Sequence, residues 1–180
     1  MNIFISMLRG INVSGHNKIS MADLKNLYES LGFQNVVTYV QSGNVIFDSG
    51  KQDASKLSAL IESQIKKSFD LSVSVLLRDK NDLQRIISGN PFVKRKKDPI
   101  NLYVTFLQTS PPPFDFNILP LPSSESDEFI IIDKEIFILC PNGYGRTKLN
   151  NNFFEKKLNL IATTRNWNTV NALFKLAGDI

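Results

Sequence analysis

The chain has 180 residues, of which 42% are hydrophobic and 21% charged, which predicts a globular protein of one domain or two small halves and excludes a disordered chain. Its one cysteine, Cys140, cannot close an internal disulfide, and its one histidine, His16, leaves too few ligands for a Cys/His zinc site, so we expect neither disulfides nor a metal site. The net charge of +4 permits an anionic partner without requiring one.

The chain begins with a short apolar run, residues 2–8, that has no basic lead and no small-residue cleavage pattern. We therefore predict a buried first strand rather than a secretion signal. No apolar stretch approaches the roughly 18–20 residues that span a bilayer. Together with the single cysteine, these features predict a cytoplasmic protein without a membrane partner.

The first half, residues 1–78, predicts a ferredoxin-like subdomain of the α+β class. Ser20 and Asp23 form a capping pair at a helix start, Gly32 provides its stop, and Ser42-Gly43-Asn44 predicts a hairpin turn. The predicted elements are strands at residues 2–8, 36–41, 45–47 and 72–77, and helices beginning at Ser20 and at Asp53 or Ser55. This βαββαβ order is that of split βαβ units.

The second half, residues 79–180, predicts another α+β subdomain that is packed against the first within one compact unit. Three strands are predicted at residues 100–107, 129–132 and 136–139, together with three helical segments. Residues 109–124 hold five prolines, which forbid a regular helix and predict an ordered wrap or a mobile flap in place of a crossover. We interpret this half as a related or degraded copy of the first.

A polar loop at residues 8–18 separates the first strand from the first helix and is the leading candidate for a site. Gly10 and Gly15 have the glycine spacing of a nucleotide P-loop, but His16 stands where that motif needs lysine. We therefore disfavour ATP or GTP hydrolysis. Backbone N–H groups beside a helix start, with Arg9 and Lys18 close by, still favour a phosphate or a carboxylate.

A second glycine-rich basic loop occupies residues 141–148, and Arg165 is predicted just before or inside the first turn of the last helix. A guanidinium at that position suits an anion. Thr163, Thr164 and Asn166 are also natural helix-cap residues, so a purely structural role competes with ligand contact.

Four segments resemble the motifs of the DUF1697 family, a bacterial family of unknown function. They are LRGINVSG at residues 8–15, YVQSGN at 39–44, GYGRTKL at 143–149 and TRNWNTV at 164–170. Ser14 and Thr147 stand where the family often has glycine and serine. The resemblance implies a ferredoxin-like α+β arrangement, a bacterial cytoplasmic setting and no established activity.

Our leading hypothesis is that a basic cleft between the two halves binds a small anionic, phosphorylated ligand. The predicted ligand-binding residues are Arg9, Gly10, Asn12, Lys18, Asn44, Arg146, Arg165 and Asn166. We assign no catalytic residue and no cofactor, so whether the protein is an enzyme stays open.

Two alternatives remain. The first is a nucleic-acid-binding module, which we do not favour, because Tyr39 and Phe47 are isolated aromatics predicted to lie in the core and no RNP-type aromatic string is present. Residues 94–97 form a basic run that is expected to be a solvated loop. The second is a structural or dimerising module without catalysis, and the oligomeric state stays open.

Overall fold

The structure is a computed structural model that describes residues 2–13, 15–50, 53–112 and 126–180. It is a mixed α+β fold with two four-stranded antiparallel sheets, each in its own compact unit. One unit is Met1–Arg85 together with Ala172–Ile180, and the other is Ile86–Asn171. Most of the proline segment predicted as a wrap or flap, from residue 113 onwards, lies outside the described residues.

The first unit has the predicted ferredoxin-like order, which the structure confirms. Its elements are β1 (Ile3–Leu8), α1 (Met21–Ser30), β2 (Gln34–Tyr39), β3 (Asn44–Asp48), α2 (Ala54–Phe69) and β4 (Val75–Asp79), followed by α3 (Lys80–Gly89). The sheet order is β2-β3-β1-β4, with every neighbouring pair antiparallel. β1 is therefore a central strand, and the loop that follows it leaves the middle of the sheet.

Local capping explains where the helices of this unit begin. The Ser20 hydroxyl accepts the Asp23 N–H at 3.0 Å at the start of α1, and Asp53 caps α2 by accepting the Ser55 N–H at 2.8 Å. The largely aliphatic core of this unit includes a cluster of aromatic rings, with the Phe33 and Phe47 ring centroids 4.6 Å apart. These caps and the apolar stripes are local sequence features, which is why the sequence predicts both helices.

The second unit repeats the same sheet order. Its elements are α4 (Pro91–Lys94), β5 (Leu102–Leu107), β6 (Glu128–Ile132), β7 (Glu135–Leu139), α5 (Asn151–Leu158), β8 (Ala162–Asn166) and the start of α6 (Trp167–Leu176). The order β6-β7-β5-β8 matches β2-β3-β1-β4 position by position. This likeness of topology supports the interpretation of the second half as a related α+β unit.

The prediction of three strands in the second half is wrong, because β8 is a fourth. Residues 162–166 are polar and include natural helix-cap residues, but they pair with β5 from Tyr103–Asn166 to Leu107–Ala162. Arg165 is consequently a strand residue, and α6 begins only at Trp167. The backbone hydrogen bonds from β5 override the weak strand propensity of this segment.

No helix in the described parts of the chain is long and apolar enough to cross a membrane. In the same residues, no three histidine, cysteine or acidic side chains lie together in a group that could hold a metal ion.

Candidate functional site

The side chain of Asn12 links the loop after β1 to the residues on either side of it. Its amide nitrogen donates to the carbonyl oxygens of Ile19 and Gln41, both at 2.9 Å, and its carbonyl oxygen accepts the Ile19 N–H at 3.0 Å. Asn17 adds a bond from its amide to the Gly10 carbonyl oxygen at 3.1 Å. Asn12 therefore ties the loop both to itself and to the β2–β3 turn.

The β2–β3 turn lies directly against this loop at Gly43. Gly43 has a φ of +76°, and a Cβ placed there would lie 2.6 Å from Ile11 Cδ1 and 3.0 Å from Leu8 Cβ. Its carbonyl oxygen accepts the Leu8 N–H at 2.9 Å. Only glycine meets both the conformational and the steric requirement at this contact.

Asn44, a predicted ligand contact, is completely buried at the start of β3. Its amide nitrogen donates to the Tyr39 carbonyl oxygen at 3.0 Å and to the Ser42 hydroxyl at 3.1 Å. Asn12 and Asn44 thus hold the loop and the turn in place, and direct contact of either side chain with a ligand stays a prediction.

An open depression of about 460 Å³ lies beside the loop, lined by Asn12, Gly15, Lys18, Ile19, Ser20 and Gln41. Lys18 is the one cation of this lining, and its exposed side chain makes no hydrogen bond or ion pair with the residues that the structure describes. Its ammonium is therefore available to a ligand. Arg9 is half-buried at the base of the loop, where its backbone N–H donates to the Ser74 carbonyl oxygen at 2.8 Å.

The turn next to the depression also contains a strained residue. Val40 has a φ of +51° and a 47% exposed side chain. A β-branched residue rarely adopts this left-handed conformation, which costs about 1–3 kcal/mol. The strained turn places the Gln41 carbonyl oxygen where the Asn12 amide donates to it. The favourable free energy of folding must therefore offset the strain at Val40.

The remaining predicted site residues lie in the second unit. Arg146 is exposed in a short 3-10 turn, Tyr144–Arg146, and Asn166 is exposed at the end of β8, where its side-chain oxygen caps α6 by accepting the Thr169 N–H at 2.7 Å. Arg165 is only 6% exposed, and its guanidinium donates to the Thr163 hydroxyl at 2.8 Å and to the Thr164 carbonyl oxygen at 2.9 Å. Within this unit, Arg165 and Asn166 are adjacent in β8.

The family of the chain follows from comparison with known proteins. The profile of the family described as "Protein of unknown function (DUF1697)" matches residues 1–137. The chain belongs to the DUF1697 family. The match includes the Asn12 loop, the Gly43 turn and most of β7, and it confirms the family that the motifs indicate.

A solved structure supports the fold of this DUF1697 chain. The chain is similar to the structure of the conserved bacterial protein SP0830 from Streptococcus pneumoniae, with 22% sequence identity, coverage of 98% of each chain and a TM-score of 0.72. At that identity the likeness concerns the fold alone. No curated protein matches the DUF1697 chain.

Sequence reasoning missed a buried cation in the first unit of this DUF1697 protein. Arg78 in β4 is 3% exposed, and its guanidinium donates to the carbonyl oxygen of the preceding residue, Leu77, at 2.9 Å. Arg165 makes the same bond to its own preceding residue. An arginine within an apolar strand gives no local signal, although comparison of the two halves could have found it.

Cys140, the one thiol, is buried at the end of β7. Burial raises its pKa to about 11, while a hydrogen bond with Thr147 lowers it and the Asp127 carboxylate raises it. The thiol is therefore protonated at neutral pH and is a poor nucleophile.

Proposed function

We propose that this protein binds a small anionic, phosphorylated ligand, and that Lys18 in the first unit holds the charge of that ligand. The observation that carries the proposal is the Lys18 ammonium on the rim of the open depression, which has no hydrogen bond or ion pair with any described residue. The volume of about 460 Å³ falls in the range of about 300–1,000 Å³ that is usual for small-molecule sites.

The hydrogen bonds of Asn12 support the same proposal. Both N–H groups of the Asn12 amide are used in holding Ile19 and Gln41, so this wall of the depression is tied together without a ligand. A ligand then loses little affinity to the ordering of the loop.

The local charge is also favourable. Residues 8–18 contain the cations Arg9 and Lys18 and no carboxylate. The next acidic residue along the chain is Asp23, which accepts a hydrogen bond from the Ser20 hydroxyl at 2.6 Å at the start of α1. A phosphate beside Lys18 would therefore meet net positive charge.

The test is the binding of pyrophosphate to the full chain at constant ionic strength, followed by calorimetry and by NMR of the backbone amides. We expect the amide resonances of residues 12–20 to shift and Lys18→Gln to weaken binding about tenfold or more. The matched control is Lys25→Gln, which removes an exposed lysine from α1 that is paired with Glu29 at 3.7 Å. Equal binding by the two variants, or no shifts around the loop, would contradict the proposal.

A nucleic-acid function has less support. The charge is divided evenly, with 11 basic and 9 acidic residues in the first unit and 10 and 8 in the second. In the basic run at residues 94–97, Arg95 already pairs with Glu128 at 2.8 Å. We also propose a cytoplasmic setting, which the single cysteine, Cys140, supports because it leaves no partner for an internal disulfide.

A further inference from the structure

The second unit carries an aromatic pair that the anion hypothesis does not use. The rings of Tyr103 in β5 and Tyr144 in the 3-10 turn have centroids 4.9 Å apart and planes inclined by 31°. Both side chains are half-buried, so each keeps part of its surface in contact with solvent. At this centroid distance the two rings overlap partly face to face, so a flat ligand would stack on the outer face of one ring and extend the stack.

The orientation of Tyr144 is fixed by hydrogen bonds. Its hydroxyl donates to the Thr164 hydroxyl oxygen at 3.0 Å, and the Thr164 hydroxyl donates in turn to the Asn151 side-chain oxygen at 2.6 Å. The 2.6 Å contact between Thr105 and Thr164 must then use the proton of Thr105, because a hydroxyl has only one proton to give. The Thr164 hydroxyl is thus saturated, with one donated and two accepted bonds, and Tyr144 is held rigidly.

Two polar residues are linked to this pair, one through the 3-10 turn and one through the β5–β8 ladder. Arg146 lies two residues after Tyr144 in the same turn, and its exposed guanidinium makes no hydrogen bond or ion pair with the described parts of the chain. Asn166 is the direct ladder partner of Tyr103, and it is exposed. Because the Asn166 side-chain oxygen caps α6, its amide N–H groups are the donors that it can offer to a ligand.

We propose that Tyr103, Tyr144, Arg146 and Asn166 form a nucleotide site in the second unit. A planar base stacks on the tyrosine pair, the Arg146 guanidinium binds the phosphate and the Asn166 amide donates to the base or sugar. An aromatic surface alone would suit any flat apolar group and an arginine alone any anion. Their occurrence together selects a planar ring that carries a phosphate.

This site does not depend on the Lys18 depression, because all four residues lie in the second unit. The same chemistry has two sources, a free mononucleotide or the 5′-terminal nucleotide of an RNA strand. Titration of the full chain with AMP, adenosine, inorganic phosphate and a 5′-phosphorylated RNA hexamer separates them. If AMP binds, the ligand is a free mononucleotide. If the hexamer binds and AMP does not, the ligand is the 5′-terminal nucleotide of an RNA strand.

Variants test each part of the site. Tyr103→Leu should weaken binding of AMP about tenfold or more; if only the hexamer binds, it should weaken binding of the hexamer by the same factor. The control is Tyr39→Leu, which changes a tyrosine of the first unit and should leave binding unchanged. Arg146→Gln, an exposed substitution that does not threaten folding, should weaken binding of the phosphorylated probe and bring its affinity down to that of its unphosphorylated counterpart. Lys156→Gln, on the exposed side of α5, is its matched control.

Three results would overturn the proposal. One is that neither AMP nor the hexamer shifts the resonances of residues 103, 144 and 166. The second is that Arg146→Gln binds the phosphorylated probe as well as Lys156→Gln does. The third is that Lys18→Gln abolishes nucleotide binding and Arg146→Gln does not, which would place the nucleotide in the first unit and leave the Lys18 proposal standing.

Discussion

Substitution of Gly43 by alanine tests whether the β2–β3 turn and the loop after β1 form one packed structure. The added Cβ would meet the side chain of Ile11 at 2.6 and 2.8 Å and Leu8 Cβ at 3.0 Å, all shorter than an ordinary contact. Leu8 Cβ is attached directly to the backbone of β1, so it cannot rotate away. We therefore expect the turn and the loop to move apart or Ile11 to leave its preferred rotamer.

The magnitude has two parts. Alanine at a φ of +76° costs about 1 kcal/mol more than glycine, because its Cβ crowds the carbonyl oxygen in the left-handed region. Overpacking of a buried contact adds about 1–3 kcal/mol. Gly43→Ala should therefore lower the free energy of unfolding by about 2–4 kcal/mol, a large share of the roughly 5–15 kcal/mol typical of a folded domain.

A matched glycine isolates the steric part. Gly32 has a φ of +83°, and a Cβ there would meet nothing within 4 Å, so Gly32→Ala should show the conformational cost alone. Ile11→Val, which removes the closest methyl group, should cost less in the Gly43→Ala background than in the native chain. Urea unfolding followed by circular dichroism measures all of these proteins. Equal destabilisation by Gly43→Ala and Gly32→Ala would refute the contact.

Three further outcomes concern polar groups in the core. Thr164→Val should lower the free energy of unfolding by about 1–3 kcal/mol, because it leaves the buried Thr105 hydroxyl without its acceptor. Thr164→Ser keeps the hydroxyl and should lower the free energy of unfolding less, and thermal melts of the two variants measure the difference. Cys140 should react with a thiol reagent at pH 7.5 only after denaturant is added, since its raised pKa keeps it protonated, and fast reaction of the native protein would contradict that. Hydrogen bonds from the N–H groups of Gly50 and Asn2 hold the pKa of Asp48 in the folded protein below its usual range. The resulting contribution of Asp48 to the free energy of unfolding is present above its pKa in the unfolded chain, and it is lost as the pH falls through its pKa in the folded protein. Between pH 5 and pH 2.5, the melting temperature of Asp48→Asn should accordingly fall less than that of the native chain. Parallel curves of melting temperature against pH for the two proteins would contradict this.

The first unit could be predicted because its signals are local. Ser20 and Asp53 cap their helices within three residues in sequence, and the apolar stripes of α1 and α2 have the helical period. Given two helices between four strands, the ferredoxin-like order follows from the general preference for split βαβ units. The sequence also located the loop after β1, because strongly polar segments between two regular elements are usually exposed.

The contacts that build the candidate sites could not be predicted, because they join residues that are distant in sequence. Asn12 binds the carbonyl oxygen of Gln41, 29 residues away, and Thr105 pairs with Thr164 across 59 residues. The sequence nominated Asn12 for its amide, but it gives no sign that Ile19 and Gln41 use both of its N–H groups. The Tyr103–Tyr144 pair was missed for the same reason, since the two rings meet only after β5 and the 3-10 turn are placed.

The two buried arginines show how the sequence could have revealed β8. Arg78 is the fourth residue of β4 and lies opposite Ile5, the third residue of β1, and Arg165 is likewise the fourth residue of β8, opposite Val104, the third residue of β5. A ferredoxin-like unit needs a fourth strand beside its first. If the second half repeats the first, the segment before α6 must therefore be that strand, however polar it is. Aligning Arg165 with Arg78 then fixes its register, so the strand is predicted by the topology of the unit and not by the propensity of its five residues.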